Sequence, residues 1–384
     1  MDGKQQGGRD EAPSSLPIKF REGNHSAFYR ALSARVDRYF SVTGRSRHAS
    51  AGVVLNGVLL LGTAIAGYFA ALLGGFGFWT TLAFAMVYGI AVLLLAINVG
   101  HDAAHGAFTK SRWGNHLALF GTFTLLGADP YLWRLRHVKS HHVFPNVNGC
   151  DIDIDSNAVL RLSPNHPRRR QHAYQHLYAP VVYWIVGLHT AFIQDIQYLF
   201  KQRLANLVDL KHPRWAYASF AGCKLVYLAV NFVVPLALLP FAWSLTLLGI
   251  LAVSAVRSSV FIYLLIGTHF AEEADFPARA PDGAIPRDWA RHAMATAVDW
   301  SPESPIAQFI SGGVNAHAAH HLFPTVSHAH SIAMSRLVAR TAREYGISHN
   351  VTTLPRMIRS HFRFLRRMAR GSAMPAGAVA RFAS

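Results

Sequence analysis

Between Arg47 and Asp102 the chain carries no Asp, Glu, Lys or Arg, and its apolar run is broken only at Gly74-Gly75-Phe76-Gly77. About twenty residues at a rise of ~1.5 Å cross the roughly 30 Å hydrocarbon layer of a bilayer, so each half of this stretch is long enough to span. A transmembrane hairpin is expected, with helices at residues 51–73 and 78–100. A second apolar pair follows at residues 217–241 and 244–268, joined at Pro240 with almost no loop. Lys224 and Arg257 interrupt it. Lys224 is near a helix end, from which its ammonium can snorkel. Arg257 is deeper and is expected to face the protein interior or a wet cavity, in a structural pairing role ahead of direct substrate contact.

Two shorter apolar stretches, residues 117–127 and 181–200, read as interfacial or buried segments. The first is too short to span, and the second carries Gln194, Asp195 and Gln197. All the long charged segments then fall on one side of the membrane: the N-terminal tail, residues 101–216, and residues 272 to the end. Their excess of Lys and Arg orients that side to the cytoplasm. The net charge of +17 belongs to these membrane-flanking segments, where it attracts anionic headgroups, and no nucleic-acid partner is expected.

The two cysteines, Cys150 and Cys223, suggest no disulfide framework, which suits a reducing compartment. Residues 1–17 are polar and glycine-rich without an apolar core, so they read as a disordered tail and not a cleavable signal. Residues 356–370 set apolar side chains among arginines at helical spacing. That pattern suits a basic helix on the membrane surface and equally a helix covering the cytoplasmic domain. The last residues, 371–384, are expected to be disordered.

The chain has 22 histidines, and their placement carries the chemistry. His101 and His105 stand where the second predicted span leaves the bilayer, and i, i+4 spacing puts both rings on one helical face. His137 and His141 repeat the spacing, with His142 adjacent, and His317, His320 and His321 give i, i+3 and i+4. One such pair is weak evidence; three clusters on the same side of the membrane point to metal. Without a thiolate cluster, Cys-rich zinc and iron–sulfur sites are excluded, while imidazole suits zinc, copper, iron and nickel. A closed structural zinc site needs about four ligands. Eight histidines exceed that need and suffice for two ions, which, if able to change oxidation state, share the electrons for dioxygen activation. No Gly-x-Ser-x-Gly elbow or phosphate-binding loop competes.

The runs around these histidines resemble the membrane fatty acid desaturase family. His101-Asp102-Ala103-Ala104-His105-Gly106-Ala107-Phe108 is similar to its first box. Trp133 to His142, with Pro145-Asn146-Val147-Asn148-Gly149-Cys150-Asp151-Ile152-Asp153-Ile154 after it, is similar to the second. Gly312-Gly313-Val314-Asn315 through His320-His321-Leu322-Phe323-Pro324 is similar to the third. The likeness covers residues 49–347. It is nearest to the front-end and linoleoyl-CoA-type branch without a fused cytochrome b5 domain, whose members commonly carry Gln where this chain has His317.

The resemblance implies an all-α integral membrane fold of four transmembrane helices in two hairpins, with a helical cytoplasmic cap carrying a di-iron site. Residues 1–48 would form an N-terminal tail and pre-membrane helix, residues 49–347 the desaturase domain, and residues 348–384 a basic C-terminal segment. It further implies a ninth ligand, His269 at the end of the fourth span, with His292 as the fallback. The ligand set is then His101, His105, His137, His141, His142, His269, His317, His320 and His321. Metal-bound histidines normally give their other ring N–H to an acceptor; Asp102, Asp151, Asp153 and Asp155 are candidates, though the segment from Asp151 to Asp155 reads equally as a solvated loop.

The implied reaction is cis desaturation of an acyl chain carried on a lipid or CoA, with two Fe ions per chain, O2 and an external electron donor, ferredoxin or cytochrome b5. Lys139, Arg168, Arg169 and Arg170 are candidate anchors for a phosphate or CoA headgroup, the alternative for most of them being solvated surface. An acyl hydroxylase of the same superfamily is the alternative, and a non-enzymatic metal-binding membrane protein is a third reading. The expected location is the bacterial inner membrane, with both termini and the site cytoplasmic.

Overall fold

In the computed structural model, residues 18–23, 26–154 and 159–371 are described. The two terminal tails, apart from Gly371, and Asp155 lie outside them. The first long apolar run forms α2 (Ala51–Leu73) and α3 (Phe78–Ala104), and the second forms α7 (Arg214–Leu238) and α8 (Trp243–Thr268). A cap helix, α1 (Ala27–Thr43), precedes them. Ser50 caps α2 by accepting the Val53 N–H, and Gly75, at φ +63°, makes the turn to α3. Helix α7 stops at Leu238, three residues short of the expected boundary. Leu239 is extended there because the proline ring of Pro240 disfavours helical backbone in the residue before it.

Glycines let these helices approach. A Cβ on Gly67 of α2 would lie 3.1 Å from the Phe84 carbonyl, and one on Gly89 of α3 would lie 2.7 Å from Val253 of α8. The outward faces carry exposed Leu55, Val58, Leu59, Ile65 and Phe69 on α2 and Leu225, Val226 and Leu248 on α7 and α8. Such continuous apolar surface is stable against lipid rather than water, so the chain is a multi-pass membrane protein.

Between the two pairs lie α4 (Arg112–Leu126), α5 (Pro130–Arg136) and α6 (Arg170–Phe200). Helix α6 includes the stretch at 181–200 and is also long and apolar enough to cross a membrane, so five helices meet that criterion among the described residues. Lys224 departs from the snorkelling expectation. Its ammonium binds Asp195 of α6 at 2.8 Å and the Gly127 carbonyl at 2.6 Å. A charge in this setting gains more from a buried carboxylate than from reaching for water. Arg257 is buried beside a cavity, as expected, but the pairing expected of it is missing: no described residue forms a hydrogen bond or ion pair with it.

The cap is built from α1 and five later helices: α9 (Trp289–Thr296), α10 (Pro305–Ser311), α11 (His317–Leu322), α12 (Ser331–Glu344) and α13 (Leu354–Arg370). Phe28, Leu32, Val36 and Phe40 form one i, i+4 stripe of α1 packed on α9, α11 and α12. Helix α13 buries Met357, Phe364, Leu365 and Met368 against α6 and the end of α8, so protein covers its apolar face. His361 fixes it there, donating from Nδ1 to the Phe270 carbonyl at 2.7 Å and facing the Tyr183 hydroxyl at 2.6 Å.

The fold is mostly helical, with two small additions that no sequence periodicity announces. Lys19–Phe20 (β1) pairs in parallel with Ala284–Ile285 (β2), and Asp299–Trp300 (β3) with Val351–Thr352 (β4).

Candidate metal centre

Helix α3 does not run evenly into His101. Residues Ala96–Gly100 widen into a π turn, and the Asn98 side chain donates to the carbonyls of Leu94 and Phe309, both at 2.9 Å. Gly312 packs against this turn: at φ +57° its hypothetical Cβ would meet the Ile97 carbonyl at 2.4 Å. A side chain there would push α10 and α11 away from α3, so the glycine pair seats the third histidine cluster beside the first. A second π turn, His137–His141, continues α5. Asp129 starts α5, accepting the Leu132 N–H at 2.8 Å, and its own N–H donates to Asp195 at 2.7 Å. The Lys224–Asp195 pair therefore holds the base of the element that carries His137, His141 and His142.

These elements bring the histidines into two adjacent groups. One ring nitrogen from each of His101, His105, His137 and His320 lies within 4.8 Å of all the others, and the same holds for His141, His269, His317 and His321. His142 stands outside both quartets. Its Nε2 is 3.0 Å from His137 Nε2, and its ring stacks on His321 at 4.3 Å between centroids. Within the second group, His269 Nε2 lies 2.6 Å from His317 Nε2 and 3.0 Å from His321 Nε2. In the first, His101 Nε2 is 3.1 Å from His137 Nε2.

The outer nitrogens decide what these contacts mean. His269 Nδ1 faces the Thr296 carbonyl at 2.9 Å, and His317 Nδ1 faces the Val314 carbonyl at 3.2 Å. His141 Nδ1 faces both Asp151 oxygens at 3.2 and 3.3 Å. Carbonyls and carboxylates only accept, so each of these Nδ1 atoms carries the proton and each Nε2 a lone pair. Lone pairs converging at such distances repel one another unless a cation lies among them. In the first group, His105 Nε2 and His320 Nε2 are buried with no hydrogen-bond partner, which also suits coordination.

Burial holds His105, His137, His142, His269, His320 and His321 well below the ordinary histidine pKa, and neighbouring imidazoles add to the effect. His317 is pushed down to about 3 by burial and by His141. Neutral rings are what a metal requires. His141 differs: burial lowers its pKa, but Asp151 and Asp153 outweigh this and raise it.

Of the carboxylates singled out, Asp151 touches a clustered histidine directly. It also accepts the backbone N–H groups of Asn146 and Asp153, each at 2.9 Å. Asp153 lies 3.6 Å from His141 Nδ1 and pairs with Arg136 at 3.0 Å. Asp102 has other partners: it accepts the Ser327 hydroxyl at 2.6 Å and His328 Nδ1 at 2.9 Å, tying the first box to the segment after the third. His292 belongs to neither group, its Nε2 donating to the Pro145 carbonyl at 2.9 Å. Arg168, proposed from sequence as a headgroup anchor, bonds the Ala369 carbonyl through Nε.

Several supports escaped the sequence reading. Asn146, at φ +60°, donates to the carbonyls of His269 and Asp275 and so joins the second box to the end of α8. Its place in a Pro-Asn-x-Asn-Gly turn was the available signal. Asp299 accepts the Ala318 N–H at 2.8 Å and steadies the start of α11. Trp133 stacks on His137 at 4.4 Å and 28°.

Fold and site together define a multi-pass membrane protein with a buried, histidine-only site for metal, the kind of site expected of an oxidoreductase. Residues 77–353 match the model of the fatty acid desaturase family, and the chain belongs to that family, whose members are oxygen-dependent oxidoreductases. An acyl-lipid (8-3)-desaturase of Physcomitrium patens is 28% identical over 363 residues, covering 94% of this chain and 75% of the relative. An sn-1 linoleoyl-lipid 6-desaturase of Arthrospira platensis is 27% identical over 349 residues, covering 88% of this chain and 91% of the relative. One of the same name from Synechocystis sp. is 28% identical over 362 residues, covering 92% and 98%.

Proposed function

We propose that the protein is a di-iron desaturase that introduces a cis double bond into an acyl chain carried on a membrane lipid. The observation that carries this reading is the second histidine group, in which three rings have their protons directed outward and their lone pairs inward. His141, His269, His317 and His321 would hold one iron. His101, His105, His137 and His320 would hold the other, with His142 joining them through the nitrogen beside His137. When bound, the pair supplies dioxygen activation with two external electrons and removal of two hydrogens from adjacent methylenes.

The chain's own part is geometric. The Asp151 carboxylate and the Thr296 and Val314 carbonyls keep each proton on Nδ1, so each Nε2 points at the same centre. Burial of the groups keeps bulk water from the reaction. An unactivated methylene offers no polar handle, so the double-bond position depends on how far the acyl chain is threaded past the histidines. A lipid-borne substrate is favoured over acyl-CoA because the relatives are named for acyl-lipid and linoleoyl-lipid substrates.

Four spans, α2, α3, α7 and α8, fit the geometry better than five. His101 at the end of α3 and His269 at the end of α8 lie at the same site. The chain between them therefore crosses the membrane an even number of times, and α7 and α8 already make two. Helix α6 is then an interfacial helix whose Asp195 reaches in to Lys224. The Lys and Arg excess on the histidine side supports a cytoplasmic site with both termini on that side, in what we read as a bacterial inner membrane. The positive charge of +17 would attract an acidic electron donor, a ferredoxin or cytochrome b5.

Expression in a host of defined lipid composition, with a competent donor and mass-spectrometric location of double bonds, tests the reading. A new double bond in membrane lipid is expected, with about two irons per purified chain. Hydroxylated lipid would move the assignment to oxygen insertion. Iron-loaded protein that leaves the lipids unchanged would overturn both.

A further inference from the structure

On the side of the helical bundle away from the histidines, α2, α3, α7 and α8 surround a cavity of about 750 Å³, its open mouth included. It extends from the helix ends near Leu72, Phe78 and Phe241 to Arg257. By helical rise, Arg257 is about 18 Å from His269 and about 21 Å from Trp243, near the middle of α8. The cavity is distinct from the metal centre, and nothing about it depends on the metal chemistry.

Its wall is largely apolar; Tyr68, Thr81, Tyr88 and Asn231 in the lining already have hydrogen-bond partners, and one further polar stripe runs along α8. Thr246, Ser254 and Arg257 follow one another along a single face of α8 and all line the cavity. Arg257 is 95% buried with no hydrogen-bond or ion-pair partner among the described residues, and no Asp or Glu lines the cavity. The hydroxyls of Ser254 and Thr246 are likewise buried without a partner. The nearby polar pair is already engaged, the Tyr88 hydroxyl donating to Asn231 at 3.3 Å and Asn231 to the Tyr227 carbonyl at 3.1 Å. A guanidinium unpaired in a low-dielectric setting costs several kcal/mol, and intramembrane charges normally have a partner. Here the protein supplies no counter-charge, and the space beside the charge is hydrocarbon-like.

We propose that this cavity binds a single-chain fatty carboxylate, its headgroup paired with Arg257 and hydrogen-bonded by Ser254, and its chain lying along the apolar wall. A planar carboxylate matches the fork of a guanidinium. A phospholipid fits less well, because its headgroup would leave the interface and two chains would share one cavity.

The test uses purified full-length protein in detergent micelles, with bound oleate and oleyl alcohol counted by native mass spectrometry. Oleate is expected to bind at one per chain, about tenfold or more tighter than the alcohol, as a charge-assisted pair requires. Arg257→Lys should keep the preference, Arg257→Met should erase it, and Ser254→Ala should weaken oleate several-fold. Equal binding of acid and alcohol would make the cavity a plain hydrocarbon pocket and overturn the proposal. Oleate binding indifferent to Arg257→Met would place the ligand elsewhere, with the same consequence, and displacement of oleate by phosphatidylglycerol would name a lipid phosphate instead. If Arg257→Met does not fold, the acid–alcohol comparison on the unaltered protein and on Ser254→Ala still decides.

Discussion

The two histidine quartets share residue type and helical spacing, yet they are held by different means. In the second, hydrogen bonds fix three of the four rings from behind: Asp151 on His141, the Thr296 carbonyl on His269 and the Val314 carbonyl on His317. In the first, orientation comes from packing. Trp133 stacks on His137, Gly312 allows the third box to close on the π turn of α3, and Asp102 ties that helix to His328. A hydrogen bond selects a tautomer, whereas packing only limits rotation. The second quartet is thus pre-organised electronically and the first sterically.

The largest effect on this contrast should come from His141→Ala, which removes a ring from the second quartet. Desaturation should vanish and iron should fall from about two per chain to about one, measured by metal analysis; unchanged product would remove His141 from the ligand set. Lys224→Met should strike both quartets alike, because the Lys224–Asp195 pair underlies the element carrying His137, His141 and His142. Leaving Asp195 buried and unpaired costs about 3–5 kcal/mol. A clear drop in melting temperature is therefore expected, recovered in part by adding Asp195→Asn. A loss confined to one iron would contradict that shared role.

Asp151→Asn should weaken iron binding at the second quartet by about 10- to 100-fold and spare the first. Stepwise iron titration reads the two separately, and equal weakening would erase the distinction drawn between them. Trp133→Leu should do the reverse at smaller scale. An aromatic stack is worth about 0.5–1.5 kcal/mol, so roughly a 2- to 10-fold loss at the first quartet is expected.

The smallest effect is on pH dependence. Burial pushes His361, which holds Phe270 next to His269, down to about 4, and His292 down to about 3. Both stay neutral in the folded protein while the unfolded chain takes up protons below about 6.5. The unfolded state binds more protons in that window, so stability is complete above about 6.5 and is lost as pH falls toward 4. Melting temperatures measured from pH 7 to 4 should decline, and His361→Gln should flatten the slope; an unaltered slope would exclude His361 as a contributor.

Much of the architecture was legible because it is local. Apolar runs of spanning length mark α2, α3, α7 and α8, and i, i+4 spacing marks each histidine cluster. Boundaries shifted where backbone chemistry intervened, as at Pro240. The reading of α6 as a buried or interfacial stretch missed its full length, since its first half joins polar residues 170–180 to the apolar run. The partners of Lys224 and Asp102 were illegible for a different reason: Asp195 and His328 are separated from them by 29 and 226 residues. No local pattern reports a contact at such separation.

Three histidine clusters on one side of a membrane, and hence a site for metal, follow from residue type, spacing and hydropathy alone. The division into two quartets, the place of His142 beside them, the direction of each ring proton and the unpaired Arg257 at a cavity were decided by tertiary structure. Spacing determines which face of a helix a side chain occupies. Which donor, carbonyl or empty space that face meets depends on how distant helices pack.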